Sequence, residues 1–183
     1  TAFDVSSMGT QTAGLTGSGE TNSPPARSAV SAEYNGSTWT AGNPVTIGRY
    51  GAGKAGTQTA GLIFAGSMPS PTFLGATESY DGTSWTNLPA TTVTSAQYMS
   101  AAGTQTAALK AGGEGQPNFA SSEIFDGTSW SSITAMPSGK FVAGPAGTTS
   151  AALVFGGATP AGNTNSTFEW NEASSVTKTI TAS

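Results

Sequence analysis

The sequence contains no cysteine and no histidine. Those two absences exclude disulfide scaffolds, Cys/His zinc sites, His-ligated haem or copper, cysteine nucleophiles and histidine-based triads. Charge is scarce as well. Only 9% of the 183 residues are Asp, Glu, Lys or Arg, against roughly 25% in an average soluble protein. With 36% apolar residues and a net charge of −4, this is not the high-charge, low-hydrophobicity pattern of a disordered chain. Lys and Arg together number 6, too few to assemble the basic face that nucleic acids require. No apolar run approaches the roughly 20 residues of a membrane-spanning helix. The opening TAFDVSS has no initiator Met and no basic-then-apolar leader, so a processed chain or a segment of a longer product is expected.

What the sequence has in abundance is glycine, 25 residues of it, and repetition. The string GTQTA stands at Gly9–Ala13, Gly56–Ala60 and Gly103–Ala107, with a variant GTTSA at Gly147–Ala151. A second marker keeps step with it: Tyr34-Asn35-Gly36-Ser37-Thr38-Trp39, Tyr80-Asp81-Gly82-Thr83-Ser84-Trp85, Phe125-Asp126-Gly127-Thr128-Ser129-Trp130 and, degenerate, Trp170-Asn171. Offsets are 47, 47 and 44 for the first marker and 46, 45 and 45 for the second. Two independent markers with one period define four units, 1–46, 47–93, 94–137 and 138–183.

The unit running from Arg49 to Thr92 reads as four strands. Arg49–Ala55 is a short polar strand, and Gly56-Thr57 a turn. Gln58–Gly66 is apolar on both faces, as expected of a strand sandwiched between neighbouring sheets. Ser67–Ala76 is expected as a Pro-containing loop. Thr77–Tyr80 and Trp85–Leu88 flank an Asp-Gly turn and form a hairpin. No segment keeps a 3.6-residue apolar period, so essentially no helix is expected.

Four-stranded units at this spacing imply an all-β protein of the β-propeller kind. The residues resemble the kelch repeat. An apolar strand runs into a glycine pair at Ala108–Gly113 and Ala152–Gly157, more loosely at Ile63–Gly66 and Gly14–Gly17. The Tyr-Asp…Trp pair follows, then Leu88-Pro89 or Met136-Pro137, then Arg49-Tyr50, Gln97-Tyr98 or Lys140-Phe141. Strings such as GTQTAALKAGG and EIFDGTSWSSI further resemble the Gly/Thr-rich kelch-like repeats of virion structural proteins of bacteriophages, marine ones in particular. The resemblance implies one kelch-like propeller domain of four-stranded antiparallel blades, four in this chain by the repeat period; from the residues, no cofactor or metal is expected. The resemblance also implies a structural or interaction role in an extracellular particle: tail fibre, tail-associated or capsid-decorating protein. The implied partners are other virion proteins or copies of the chain itself.

The individual markers take structural readings. Trp39, Trp85 and Trp130, with Tyr34, Tyr80 and Phe125, are expected in the core between blades. So are Leu62, Phe64, Leu109, Leu153, Val154 and Phe155. Asp81 and Asp126 precede Gly in tight turns, where Asp and Asn bond the local backbone; Asn35 and Asn171 stand at the same places without charge. Glu33, Glu78 and Glu123 recur on one strand of successive units and so do not share a site. Glu20 and Glu114 are the carboxylates placed to face a common rim, the arrangement a glycosidase would need.

Function is expected in the connections after the second strand of each unit, which vary (20–28, 67–76, 114–120, 158–166) while the turns at the other end repeat. The candidate contact residues are Glu20, Asn22, Arg27, Phe73, Glu114, Asn118, Phe119 and Asn163. A non-enzymatic attachment module is the first reading. A carbohydrate-binding adhesin recognising host surface glycans is the second.

Overall fold

The repeated strings become repeated hairpins. The computed structural model describes residues 2–22, 26–68, 72–93, 97–115, 119–171 and 174–180. The first sheet holds β1 (Ala2–Phe3), β2 (Ser6–Thr10), β3 (Ala13–Thr21), β4 (Arg27–Tyr34) and β5 (Trp39–Gly42). In it β1 and β2 lie end to end along β3. The second holds β6 (Gly53–Gly56), β7 (Gly61–Phe64), β10 (Thr77–Tyr80) and β11 (Trp85–Leu88), with a small hairpin of β8 (Ser67–Met68) and β9 (Thr72–Phe73) inserted. The third holds β12 (Ser100–Thr104), β13 (Ala107–Ala111), β14 (Ser122–Phe125) and β15 (Trp130–Ile133). The fourth holds β16 (Gly144–Gly147), β17 (Ala151–Phe155), β20 (Thr167–Asn171) and β21 (Ser174–Ile180), with a second inserted hairpin of β18 (Ala158–Thr159) and β19 (Gly162–Asn163). All pairings are antiparallel, and no helix occurs among the described residues.

Local chemistry explains the recurring strings. In GTQTA, Gly56 has φ +102° and the N–H of Thr57 donates to the Ala60 carbonyl at 3.0 Å. Gly9, Gly103 and Gly147 take the same positive φ, and a Cβ on any of the four would run into the carbonyl of the Ala four residues on. Only glycine closes this hairpin without strain. In the second turn, Asp81 Oδ1 accepts the N–H groups of Thr83 and Ser84, each at 2.8 Å. Asp126 does the same for Thr128 and Ser129. Asn35 does it for Ser37 and Thr38 with an amide oxygen, so the turn needs an acceptor and not a charge.

Successive sheets touch through their first strands, β2 with β6, β6 with β12 and β12 with β16. A core lies in each gap. Leu15 of the first sheet meets Ile63, Tyr80 and Trp85 of the second. Phe64 of the second meets Trp130 of the third, ring centroids 4.6 Å apart. Leu109 of the third meets Val154, Phe168 and Trp170 of the fourth. Each fully buried side chain of this size contributes roughly 1.5–3 kcal/mol.

Four expectations need correcting. The 67–76 segment is not simply a loop, because β8 and β9 pair within it. The positive-φ pair that follows the second strand is Ser18-Gly19 in the first unit, one residue past the expected Gly14–Gly17 string. It matches Ala65-Gly66, Gly112-Gly113 and Gly156-Gly157 in conformation. Tyr98 is not the counterpart of Tyr50: the bridges Tyr50–Ser67, Gln97–Glu114 and Phe141–Ala158 put Gln97 at that place. Aromatic likeness there competes with the 47-residue offset, and the offset is right. Finally, Trp39 and Phe155 are not core: they are 55% and 45% exposed, and Leu153 is half-buried. They lie on the outward faces of the first and last sheets, where no further sheet covers them.

Candidate functional site

Most of the ionised groups inside the protein are committed to holding the chain in place. Glu78 accepts the N–H of Thr46 at 2.6 Å and that of Ile47 at 3.3 Å, and is ion-paired with Arg49. It thereby fixes the connection from the first sheet to the second. Glu123 repeats this one unit later, accepting from the N–H of Thr92 at 2.7 Å and that of Val93 at 3.3 Å. Its cation comes from a different place: Lys110, on β13. In the fourth sheet Phe168 stands where Glu78 and Glu123 stand. Lys140, at the place of Arg49, lies 4.4 Å above the Phe168 ring. Lys140 donates to the carbonyls of Gly156 and Ser166, as Arg49 donates to those of Ala65 and Ala76. Burial lowers the proton affinity of Arg49, Lys110 and Lys140, and the partnered carboxylates counteract it for the first two. The repeated glutamates are therefore stitches, each in its own sheet.

A different set of residues surrounds a cavity of about 280 Å³ where the first strands of the four sheets begin. Each sheet supplies one residue with the same left-handed backbone: Asp4 (φ 56°), Gly51 (φ 60°), Tyr98 (φ 55°) and Val142 (φ 54°). Three of them form a ladder. The N–H of Tyr98 donates to Gly51 at 2.7 Å, and that of Val142 donates to Tyr98 at 2.8 Å. Three non-glycine residues held at positive φ around one cavity store backbone strain, a feature that gathers at binding sites. The Tyr98 hydroxyl is hydrogen-bonded to Asp4, with the charge of Glu20 and the Tyr50 ring hydroxyl near by. Burial first, and these neighbours next, raise its pKa and keep it protonated. Lys54, exposed, completes the polar lining, and Met99 and Pro145 supply apolar wall. This arrangement offers a carboxylate, a phenol and an ammonium to a small hydroxyl-bearing ligand. Among the described residues no group of three or more Asp, Glu, His or Cys side chains is placed to hold a metal ion.

Compared with known proteins, the chain matches no family model and no curated sequence.

The sequence-predicted contact residues spread around the rim beyond this cavity. Glu20 ends β3 opposite Arg27 of β4, and its charge reaches Tyr98. Asn22 is exposed just beyond β3. Phe73 is half-buried on β9, and Asn163 is exposed on β19. The Glu114 carboxylate accepts from Gln97 Nε2 at 3.2 Å. Phe119 is occupied by packing: its ring lies 6.0 Å from Phe141, and its carbonyl accepts the N–H of Lys140 at 3.0 Å. Asn118 lies outside the described residues. Of the seven among the described residues, only Glu20 is linked to the cavity, through its charge on Tyr98. Asp4, Lys54 and Tyr98 were missed. The signal was present, since Asp4, Gly51 and Tyr98 are spaced by 47, but Asp, Gly and Tyr share no side-chain chemistry. What they share is a backbone conformation.

Proposed function

We propose that the chain is a non-enzymatic attachment module, a kelch-like β-propeller of four blades that forms part of a bacteriophage virion. The observation that carries this reading is the division of the four sheets into two ends. At one end the positive-φ glycine turn repeats in all four sheets and the Asx turn in the first three. At the other, the connections diverge into a bent strand end near 20–22, the β8–β9 hairpin, an irregular segment around Glu114 and the β18–β19 hairpin. A rigid frame with one variable rim suits recognition, and the buried charges are engaged in holding that frame. The role in a particle is tested by imaging: antibody raised against the chain labels virions at a tail, fibre or capsid position. Absence of the chain from purified particles refutes it.

A second reading, a lectin for host surface glycans, is favoured by the cavity with Asp4, Tyr98 and Lys54. Glycan-array binding by the isolated chain, lost in Tyr98→Ala and reduced in Phe73→Ala, supports it. Binding to no glycan on a broad array refutes it.

A further inference from the structure

The two outward faces of the array carry matching halves of a contact that the chain already makes internally. Three interactions join consecutive sheets, the first and third of them at two successive gaps and the second between the first two sheets. First, a Trp on the fourth strand covers one residue of the second strand of the preceding sheet, at equivalent register positions: Trp130 lies on Phe64, and Trp85 lies over Gly17. Second, the Tyr80 hydroxyl donates to Glu33 of the preceding sheet. Third, a Gln in the GTQTA turn reaches two carbonyls of the preceding sheet. Gln58 Nε2 donates to Tyr34 at 2.8 Å and Gly14 at 3.2 Å. Gln105 Nε2 donates to Tyr80 at 2.6 Å and Gly61 at 3.2 Å.

On the outward face of the first sheet, Trp39, Tyr34 and Gln11 occupy the places of Trp85, Tyr80 and Gln58. Trp39 and Gln11 are exposed, and the Tyr34 and Trp39 rings lie together, centroids 5.1 Å apart. On the outward face of the fourth sheet, Phe155 occupies the place of Phe64 and is 45% exposed. Glu169 pairs with Leu153 as Glu33 pairs with Leu15, so it stands at the place of Glu33. The carbonyls of Ala152 and Trp170 stand where those of Gly14 and Tyr34 accept from Gln58, since Ala152 pairs with Trp170 as Gly14 pairs with Tyr34. One face thus presents the ring, the hydroxyl and the amide; the other presents the platform, the carboxylate and the carbonyls.

We propose that a second copy of this chain docks head to tail. Trp39 of one copy covers Phe155 of the next, Tyr34 donates to Glu169, and Gln11 donates to the Ala152 and Trp170 carbonyls. The contact is heterologous, so it closes into a ring or continues as a filament. It is independent of whatever the variable rim binds.

The test is sedimentation velocity of the 183-residue chain, alone and as Trp39→Ser and Phe155→Ser variants. Wild type is expected to associate with rising concentration, and each variant is expected to remain monomeric. An equimolar mixture of the two variants is expected to form a 1:1 pair that grows no further. Each partner then keeps the face the other has lost. Pairing in the mixture also shows that both variants are folded. A wild-type chain that stays monomeric at every concentration overturns the proposal, including the case in which its own end faces close on each other. So does a wild-type oligomer that the Trp39→Ser and Phe155→Ser substitutions leave intact.

Discussion

Gln58 and Tyr34 belong to different sheets, and the Gln58 amide nitrogen donates to the Tyr34 carbonyl at 2.8 Å. The next GTQTA turn repeats the bond from Gln105 to Tyr80. The fourth unit has GTTSA, and Thr149 at the glutamine place is too short to span the gap. Thr149→Gln is therefore expected to stabilise the chain, donating to the carbonyls of Phe125 and Ala108. The gain is about 1 kcal/mol for each bond formed, the net value of an ordinary hydrogen bond. Gln58→Ala is expected to lose about 1 kcal/mol for each of its two bonds. Denaturant midpoints at constant slope measure both. A neutral Thr149→Gln would mean that the fourth sheet sits at a different distance from the third.

The two members of the Lys110–Glu123 pair are unequal. Glu123 is also the acceptor for the N–H groups of Thr92 and Val93 and for the Thr92 hydroxyl. Among the described residues Lys110 has, besides Glu123, the Val93 carbonyl at 3.1 Å. Glu123→Leu strands a buried ammonium and three other donors, and is expected to cost about 3–5 kcal/mol. Lys110→Met leaves the carboxylate three of its partners and is expected to cost less. Replacing both is expected to cost less than the sum of the two, because neither charge is then left alone. A double-mutant cycle by chemical denaturation reads the coupling directly.

The period, the strand-bearing segments and the two turns were legible because they rest on short strings: positive φ demands Gly9 or Gly56, and the Asx turn demands Asn35 or Asp81. Thr77–Tyr80 and Trp85–Leu88 match the strands residue for residue. The exposure of Trp39 was not legible. Its string is nearly that of Trp85, and what differs is whether another sheet lies against it. A repeat announces how units pack on one another but is silent about the two that end the array. The cavity was hidden for a related reason. Asp4, Gly51, Tyr98 and Val142 share a backbone torsion and, for the first three, a spacing of 47, but no side-chain chemistry that marks the spacing as meaningful.

Acid should loosen the turns. Backbone N–H groups of Ser84 and Thr83 hold the Asp81 carboxyl below its usual pKa of 3.8, and Ser129 and Thr128 do the same for Asp126. A carboxyl with a depressed folded-state pKa stabilises the fold above the unfolded value. That stabilisation is lost as pH falls through the folded one. The Asp81→Asn/Asp126→Asn variant keeps the acceptor, as Asn35 shows, without the titration. Its melting temperature is expected to fall less than that of wild type between about pH 6 and about pH 2. Equal losses in the two proteins would assign the acid sensitivity to other groups.

Alkali should act through Tyr80. Burial, and then the hydrogen bond to Glu33, push its pKa up to about 12 from 10.0. The protonated phenol is the form the fold favours, so its contribution is whole below pH 10 and is lost as pH rises through 12. Tyr80→Phe is expected to reduce the fall in stability over that window, leaving the part that Tyr98, whose pKa is raised further, contributes in the same direction. Denaturant midpoints measured across the window read the slope. An unchanged slope in Tyr80→Phe would assign it elsewhere.

Val142 is the worst-suited of the four residues that share the left-handed conformation. It is β-branched, sits at φ 54° and is 65% exposed, so its side chain gains little from burial. The left-handed region costs an L-residue roughly 1–2 kcal/mol, and branching at Cβ worsens it. Asn visits that region readily and loses less chain entropy than Gly. Val142→Asn is therefore expected to raise stability by about 1 kcal/mol. The reverse experiment belongs at Gly51, where an added Cβ meets Gln97 Cβ at 3.0 Å and the Tyr98 ring at 3.2 Å. Gly51→Val combines the same backbone penalty with that crowding and is expected to destabilise by more than Val142→Asn gains. Thermal melts of the two variants decide it. If Val142→Asn melts below wild type, the left-handed ladder is not strained and the valine is there for contacts of its own.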